Sequence, residues 1–83
     1  MKVTVTISLK PGVLDPQGRA IENSLLSLGY QDVAGVATGK QIILDLNEED
    51  EARAIQKCAK MCETLLVNTV IEDYDITVDQ EDA

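Results

Sequence analysis

The chain has 83 residues, of which 45% are apolar and only two, both tyrosines, are aromatic. Fifteen acidic against seven basic residues give a net charge of −8, which opposes binding to nucleic acid or anionic membranes because their phosphates carry the same sign. The chain contains no histidine, which excludes serine–histidine and cysteine–histidine catalytic pairs and every metal site that needs histidine.

The first predicted element is a strand, because apolar residues at positions 3, 5, 7 and 9 alternate with polar ones. Pro11-Gly12 ends this strand. A helix then begins at Pro16, with Asp15 as its N-cap, since a carboxylate accepts the free N–H groups of a first turn. The apolar stripe of this helix is formed by Ile21, Leu25 and Leu28, and Gly29 is suited to end it.

Two short apolar runs follow, Val33–Ala37 and Gln41–Leu46. Thr38-Gly39-Lys40 lies between them and predicts a hairpin turn, so the two runs are interpreted as paired strands. Together with the first strand they account for three of the four predicted strands.

A second helix is predicted to begin at the cap Asn47, with the acids Glu48–Glu51 in its first turn, where the helix dipole favours anions. Asn68 is predicted to terminate this helix. Its predicted apolar face consists of Ala52, Ile55, Cys58, Ala59, Cys62, Leu65 and Leu66. The last predicted strand is Val70–Val78, and Asp79–Ala83 is an acidic tail with no reason to be ordered.

The element order βαββαβ predicts an α+β, ferredoxin-like two-layer sandwich, in which two helices cover one face of a four-stranded antiparallel sheet. Residues 1–78 form a single domain in this interpretation, and 79–83 form the tail. The uncovered face would carry the mixed set Thr4, Thr6, Ile43, Ile71 and Asp73. A mixed open face on so small a domain indicates self-association.

No apolar run approaches the length of a membrane-spanning helix, and the alternating N-terminus lacks the block structure of a signal peptide. The two cysteines then indicate a reducing compartment, and we expect a cytoplasmic protein. Cys58 and Cys62 lie one helical turn apart, but two thiols cannot close a zinc site, so both are interpreted as core residues.

Three further segments invite a chemical interpretation. Gly35 to Lys40 approximates a phosphate loop, but its spacing is one residue short and Gln41 replaces the required hydroxyl residue. The loop from Lys10 to Gly18 leads to a helix N-terminus, which Asp15 itself would occupy. Glu72 and Asp73 are neighbours in a strand, so their side chains point to opposite faces and cannot converge on one substrate.

Several of these segments together resemble the PurS family, over nearly the whole chain except the tail. The resemblance is carried by Leu9-Lys10, by Val13-Leu14-Asp15-Pro16-Gln17-Gly18, by Leu28-Gly29-Tyr30, by Gly39-Lys40 and by the stretch from Cys62 to Val70-Ile71-Glu72-Asp73-Tyr74. The strings VLDPQG and VIEDY are the most specific parts of this match.

The resemblance implies a non-catalytic small subunit of phosphoribosylformylglycinamidine (FGAM) synthase, in de novo purine biosynthesis. The implied partners are a glutaminase subunit, which releases ammonia, and a synthetase subunit, which uses ATP and magnesium. The small subunit would join the two and support ammonia transfer, would bind no cofactor or metal itself, and would form a homodimer or homotetramer.

The resemblance also implies three contact regions. Their interface candidates are Lys10, Asp15, Gln17 and Gly18 in the first loop, Gly39 and Lys40 in the second, and Asn68, Glu72, Asp73 and Tyr74 in the third. Relatives often carry an arginine just before the Gly-Lys pair, where this chain has Ala37-Thr38.

Two rival hypotheses stay open at this point. The first is a regulatory module of ferredoxin-like type that binds a small ligand, such as an amino acid or a nucleotide, at a dimer interface. The second is a free-standing enzyme that uses carboxylates or a single cysteine.

Overall fold

The computed structural model describes residues 1–79. In chain order the elements are strand β1 (Lys2–Leu9), helix α1 (Pro16–Ser27), strand β2 (Gly39–Asp45), helix α2 (Glu51–Met61), a π-helical turn (Cys62–Leu66) and strand β3 (Glu72–Asp79). The fold is α+β, with a three-stranded antiparallel sheet in the order β2-β1-β3. Of the predicted acidic tail, Asp79 ends β3 and the rest lies outside the described residues.

Strand β1 is the centre of the sheet and of the core. Its alternation is confirmed, because Val3, Val5 and Ile7 are each at most 1% exposed. Helix α2 lies on the same face of the sheet and buries Ala54 and Cys58 against them. These small side chains allow the helix to approach the sheet closely.

The opposite face of the sheet is open and mixed, as the alternation predicts. Thr4 pairs with Ile43, which is 56% exposed, and Ser8 pairs with Asp73. Ile71, which was also expected on this face, precedes strand β3 and is not part of the sheet. No helix in the described part of the chain, residues 1–79, is both long and apolar enough to cross a membrane.

The end of the second helix differs from the prediction because the chain widens into a π-helical turn. The Val67 amide donates to the Cys62 carbonyl at 3.0 Å, a five-residue step. This step brings Val67 into the core, at 6% exposure, and leaves Leu65 82% exposed, although the α-helical pattern placed Leu65 inside. Asn68 follows an extended Val67 and has no left-handed backbone, so it does not terminate the helix.

The second helix also begins later than predicted. Its N-cap is Asp50, whose carboxylate accepts a hydrogen bond from the Ala52 amide at 3.1 Å, and not Asn47. Of the predicted first turn only Glu51 is helical. Glu48 instead accepts a hydrogen bond from Lys57 at 2.7 Å, which holds the preceding loop against the helix.

The predicted fourth strand, Val33–Ala37, forms no strand in the structure. The predicted hairpin turn is also absent, because Gly39 and Lys40 already belong to β2, where Gly39 pairs with Ser8. The Thr38 amide, just before β2, donates at 2.8 Å to the carboxylate of Asp15.

Helix α1 does not cover the sheet, contrary to the prediction of two helices on one face. Its start at Pro16, its cap Asp15 and the positive φ of 103° at Gly29 are as predicted. However, among the described residues α1 packs against no other helix or strand. The Cα radius of gyration is 16.4 Å, against about 12 Å for a compact chain of this length. Leu28 is consequently 73% exposed.

Replacing Ile7 by alanine tests the position of the core. Ile7 is 1% exposed in the central strand, so the truncation leaves a cavity and should cost about 2–5 kcal/mol of unfolding free energy. The control is Ile43→Ala, the same truncation on the open face, which should cost far less. Urea unfolding at one fixed protein concentration measures both, and equal losses would contradict the assignment of the two faces.

Cys58 and Cys62 are fully buried free thiols, as expected for core residues. Burial raises the pKa of the Cys58 thiol, and burial with the neighbouring Cys58 raises that of Cys62 to about 11. Both effects lower the thiolate fraction, and the thiolate is the species that reacts.

Iodoacetamide at pH 8 should therefore alkylate both thiols in the folded protein at least about a hundredfold more slowly than in the unfolded chain. A cysteine introduced at the exposed Asn23 serves as the control and should react at the rate of a free thiol. Mass spectrometry of timed samples gives the rates. Rapid alkylation of the native thiols would show that they are accessible and would revive the thiol-enzyme hypothesis.

Candidate functional site

The three predicted contact regions meet at one end of the sheet. Strand β1 ends where β2 and β3 begin, because it is antiparallel to both, and Ser8 pairs with Gly39 on one side and Asp73 on the other. Lys10 follows β1, and its amide donates to the Ile71 carbonyl at 2.8 Å. Residues far apart in sequence are thus neighbours here, and we call this region the sheet end.

Asp15 is the most highly bonded side chain of the sheet end. One carboxylate oxygen accepts the Gly18 amide at 2.9 Å, as an N-cap does, and the other accepts the Thr38 amide at 2.8 Å. The Thr38 hydroxyl donates to both oxygens at 3.0 Å. The carboxylate joins residues 23 positions apart, and Thr38 is a partner that the sequence did not reveal.

These hydrogen bonds lower the pKa of Asp15 below its ordinary 3.8, chiefly through the Gly18 amide and then the Thr38 amide. Because the pKa of Asp15 is lowered on folding, these bonds stabilise the folded state fully at every pH above the ordinary pKa of the carboxyl group. Their contribution is lost as the pH falls through the lowered pKa. Since its acceptors are occupied within the chain, Asp15 is an internal connector and not an open ligand.

Gly18 and Gln17 lie beside this connector. Gly18 is buried, and a Cβ atom there would come within 2.5 Å of the Val36 carbonyl oxygen, so only glycine permits this approach. Gln17 is exposed and lines a small cavity of about 240 Å³, together with Thr38, Lys40 and Glu72. Gln17 therefore has its amide free to face a partner or ligand at the sheet end.

Two ion pairs cross between the contact regions. The Lys10 ammonium donates to the Asp73 carboxylate at 2.6 Å, and the Lys40 ammonium lies 3.7 Å from Glu72. Asp73 is 55% exposed and Glu72 15% exposed, which confirms that these neighbouring acids point to opposite faces. Ion pairs at this exposure contribute little to stability, about 0–1 kcal/mol each, so they serve chiefly to orient the charges.

Asn68 and Tyr74 complete the predicted set. The backbone N–H of Asn68 donates to the Glu72 carboxylate at 2.8 Å, and the Asn68 side-chain oxygen accepts from the backbone N–H of Val70 at 3.2 Å. These two bonds shape the turn before β3. The Tyr74 hydroxyl donates to Glu63 at 2.8 Å. This bond to a carboxylate raises the pKa of Tyr74, which keeps its hydroxyl protonated. Glu63, like Thr38, is a partner that sequence analysis missed.

The polar groups of the sheet end are largely bonded to one another. Its carboxylates are bonded to backbone amides or to lysines, and within residues 1–79 no group of three or more acids and cysteines could hold a metal ion. The exposed groups that it offers are Gln17, Lys40 and the partly exposed pair of Lys10 and Asp73. Such groups can bind another protein surface through hydrogen bonds and charge.

A second surface was not anticipated from the sequence. Between strand β2 and the end of helix α2 lies an open, largely apolar groove of about 510 Å³. Its lining includes Leu44 on the strand, Lys60 and Met61 at the end of the helix, and Leu65 and Leu66 in the π-helical turn. The groove exists because α2 packs on β1 and β3 and leaves the face of β2 uncovered.

Comparison with known proteins identifies the family. Residues 2–80 match the sequence model of PurS, described as phosphoribosylformylglycinamidine (FGAM) synthase. The chain is 46% identical to the PurS subunit of FGAM synthase from Bacillus subtilis, over 95% of this chain and 93% of the relative. It is 43% identical to that of Methanocaldococcus jannaschii, over 95% of both chains.

Solved structures agree with this match. The crystal structure of Methanocaldococcus jannaschii PurS superposes with a TM-score of 0.89 at 43% identity, covering 98% of both chains. A chain in the structure of PurLQS from Thermotoga maritima superposes with a TM-score of 0.84 at 33% identity, covering 92% of this chain and 93% of that one. From the family match and the shared fold it follows that the chain belongs to the PurS family, the PurS subunits of FGAM synthase.

Proposed function

We propose that the chain joins a glutaminase subunit to an ATP-dependent synthetase subunit and supports the transfer of ammonia between them. The reaction of the complex converts formylglycinamide ribonucleotide, glutamine and ATP to FGAM, glutamate, ADP and phosphate. Membership of the PurS family carries this proposal, with the Thermotoga maritima PurLQS structure as its structural counterpart. The site supports a joining function, because its carboxylates are already bonded within the chain.

The chemical steps then belong to the partners. Glutamine hydrolysis by a thiol needs an activated thiolate, whereas both thiols here are buried and have raised pKa values. We propose that the synthetase subunit binds ATP and magnesium and that this chain binds neither. The two free thiols are suited to a reducing compartment, so we place the complex in the cytoplasm.

The sheet end is the proposed contact surface for the larger subunits. Gln17 and Lys40 are exposed there and line the same small cavity, while Asp15, Gly18 and Asn68 shape the backbone beneath them. Gln17 and Lys40 would thus make the contact, and the backbone shaped by the other three residues would position them. Asp73, held by Lys10, extends the same surface onto the open face.

The double variant Gln17→Ala with Lys40→Ala tests this surface in the reconstituted three-subunit complex. Glutamine-dependent FGAM formation should fall at least about tenfold at limiting small subunit, because the contact loses about 1.4 kcal/mol or more. The rate with added ammonia should stay unchanged, since it needs no transfer between subunits. The control is Lys2→Ala, which removes an exposed lysine at the other end of β1.

Full coupling by the double variant would exclude these residues from the contact while leaving the proposed function intact. Full coupling of the two larger subunits without any small subunit would instead overturn the proposed function. The two results are distinguished by the assay that omits the chain altogether.

We also propose that two copies of the chain associate by exchanging residues 11–38, which we call the arm. The arm contains helix α1, and the rest of the described chain is the body. Within residues 1–79 no other helix or strand packs on the apolar stripe of helix α1, and the groove of the body is open and largely apolar. A helix of the second copy seated in the groove would bury both surfaces at once.

The exchange would also restore the ferredoxin-like arrangement. Strand β2 is an edge of the sheet, and its outer hydrogen-bonding groups are unpaired by any strand of the described chain. Residues 33–37 of the second copy could pair there as the fourth strand, next to β2 and beneath their own helix. Strand β3, the other edge, carries Asp73, Asp75 and Asp79, and like charges oppose pairing between two such edges.

A complementation experiment tests the exchange. Ile21→Asp places a charge on the exposed stripe of α1, and Leu65→Asp places one in the groove. Each variant alone should dissociate to monomers, because each dimer would bury two unpaired carboxylates. Asn23→Asp, an exposed position off the stripe, is the charge-matched control and should remain dimeric.

Mixing the two monomeric variants should restore dimers, since one intact arm then meets one intact groove. Sedimentation velocity at equal total concentration measures the dimer fraction. Dimeric single variants would contradict the exchange, as would a mixture that stays monomeric while the wild-type chain dimerises.

A further inference from the structure

Two aliphatic side chains at the sheet end are largely exposed to solvent. Leu14, in the loop between β1 and α1, is 75% exposed, and Val70, in the turn before β3, is 81% exposed. The loop and the turn are neighbours, because the backbone N–H of Lys10 donates to the Ile71 carbonyl at 2.8 Å. They leave strands β1 and β3 where these strands pair, so both side chains belong to the sheet end.

Leu14 is not needed for the start of helix α1. The residue before an N-cap is commonly apolar, because its side chain packs on an apolar fourth residue of the helix. Here the N-cap is Asp15 and the fourth helical residue is Arg19, which is charged and exposed. The carboxylate of Asp15 supports the first turn instead, by accepting the Gly18 amide. The described fold therefore does not require an apolar side chain at position 14.

The backbone is fixed on both sides of Leu14. The backbone N–H of Val13 donates to the Lys10 carbonyl at 3.1 Å, which closes a turn whose central residues are a proline and Gly12. Gly12 has a φ of 87°, as the second central residue of a type II turn requires. On the other side, Asp15 is held by the hydrogen bonds described above. The position of Leu14 is thus set before any partner binds.

The turn that carries Val70 is fixed in a similar way. The Asn68 carbonyl accepts the backbone N–H groups of Ile71 at 3.1 Å and of Glu72 at 2.8 Å. The Asn68 side-chain oxygen accepts the backbone N–H of Val70, and the Glu72 carboxylate accepts that of Asn68. These hydrogen bonds hold the turn in one shape while the Val70 side chain faces solvent.

We propose that Leu14 and Val70 are the apolar anchors of the subunit contact, each filling an apolar pocket on a larger subunit of the complex. This inference rests on the proposed function and adds an apolar centre to the polar contact of Gln17 and Lys40. Protein interfaces typically combine buried apolar anchors with a polar rim. Because both turns are already fixed, burying their side chains costs little conformational entropy.

The charges near the two anchors suit an apolar contact. The neighbouring acids are already bonded, Asp73 to Lys10 at 2.6 Å and Glu72 to the backbone N–H of Asn68 at 2.8 Å. A partner can therefore cover this end without leaving these carboxylates unpaired in a dry interface, which would cost free energy. We expect the partner's surface to be apolar here and not strongly basic, although the chain carries a net charge of −8.

Polar replacements of nearly the same size test the anchors. Leu14→Asn and Val70→Thr remove the apolar character of each side chain, and Val70→Thr keeps the branch at Cβ, so both turns should be preserved. The control is Ile43→Thr, the same kind of change at a 56% exposed position on the open face, outside the sheet end. The measured quantity is the concentration of small subunit that gives half-maximal glutamine-dependent FGAM formation in the reconstituted three-subunit complex.

This concentration should rise at least about tenfold for the double variant and by less for each single variant, with Ile43→Thr like the wild type. The ratio of variant to wild type should be the same at about 0.05 M and about 0.5 M salt, because salt screens charges and not apolar contacts. The loss caused by Lys40→Ala should instead shrink at high salt. The rate with added ammonia should be equal for all variants at each salt concentration.

Three results would overturn the inference. An unchanged half-maximal concentration would exclude both side chains from the contact. A urea midpoint lowered beyond that of Ile43→Thr would assign them to the fold, and a loss of the chain's own oligomers in sedimentation would assign them to contact with a second copy. The proposed function is judged separately, by the assay that omits the small subunit.

Discussion

The central constraint on this molecule is that helix α1 packs against no other helix or strand of residues 1–79. A helix of twelve residues gains most of its stability in proteins from packing one face, and here no other described helix or strand packs on that face. The largely apolar groove between β2 and α2 is likewise open. A chain of 83 residues can bury only a small core, so leaving both of these apolar surfaces exposed would cost much of its stability. The two exposed surfaces together therefore favour an oligomer over a monomer.

The body and the arm have different proposed roles, contact with the larger subunits for the body and self-association for the arm. Strand β1 pairs with both neighbours and buries Val3, Val5 and Ile7, which makes the body stable as a sheet with one covering helix. The hydrogen-bonded turns at the end of that sheet fix Lys10, Lys40 and Asp73 as surface groups. The proposed subunit contact thus lies at the hydrogen-bonded end of the sheet, and the proposed self-association involves the arm.

The sequence predicted ten interface candidates, and their role in a contact stays a prediction. The ten candidate residues do meet at one end of the sheet, since antiparallel pairing brings the end of β1 to the starts of β2 and β3. Asp15 was correctly placed as a helix cap, but its bonds to Thr38 depend on an approach of segments 23 residues apart. Glu63 was missed in the same way, because only the π-helical turn and β3 bring it to Tyr74.

The sequence by itself determined the class of fold, the central strand, the first helix with its cap, and the absence of histidine chemistry, because these follow from local periodicity, capping and composition. Only the tertiary structure decided that the predicted hairpin is open, that the second helix ends in a wider turn, and that α1 leaves the sheet. The physical reason is that these features depend on contacts between residues far apart in sequence, such as Asp15 with Thr38, which local periodicity and capping do not specify.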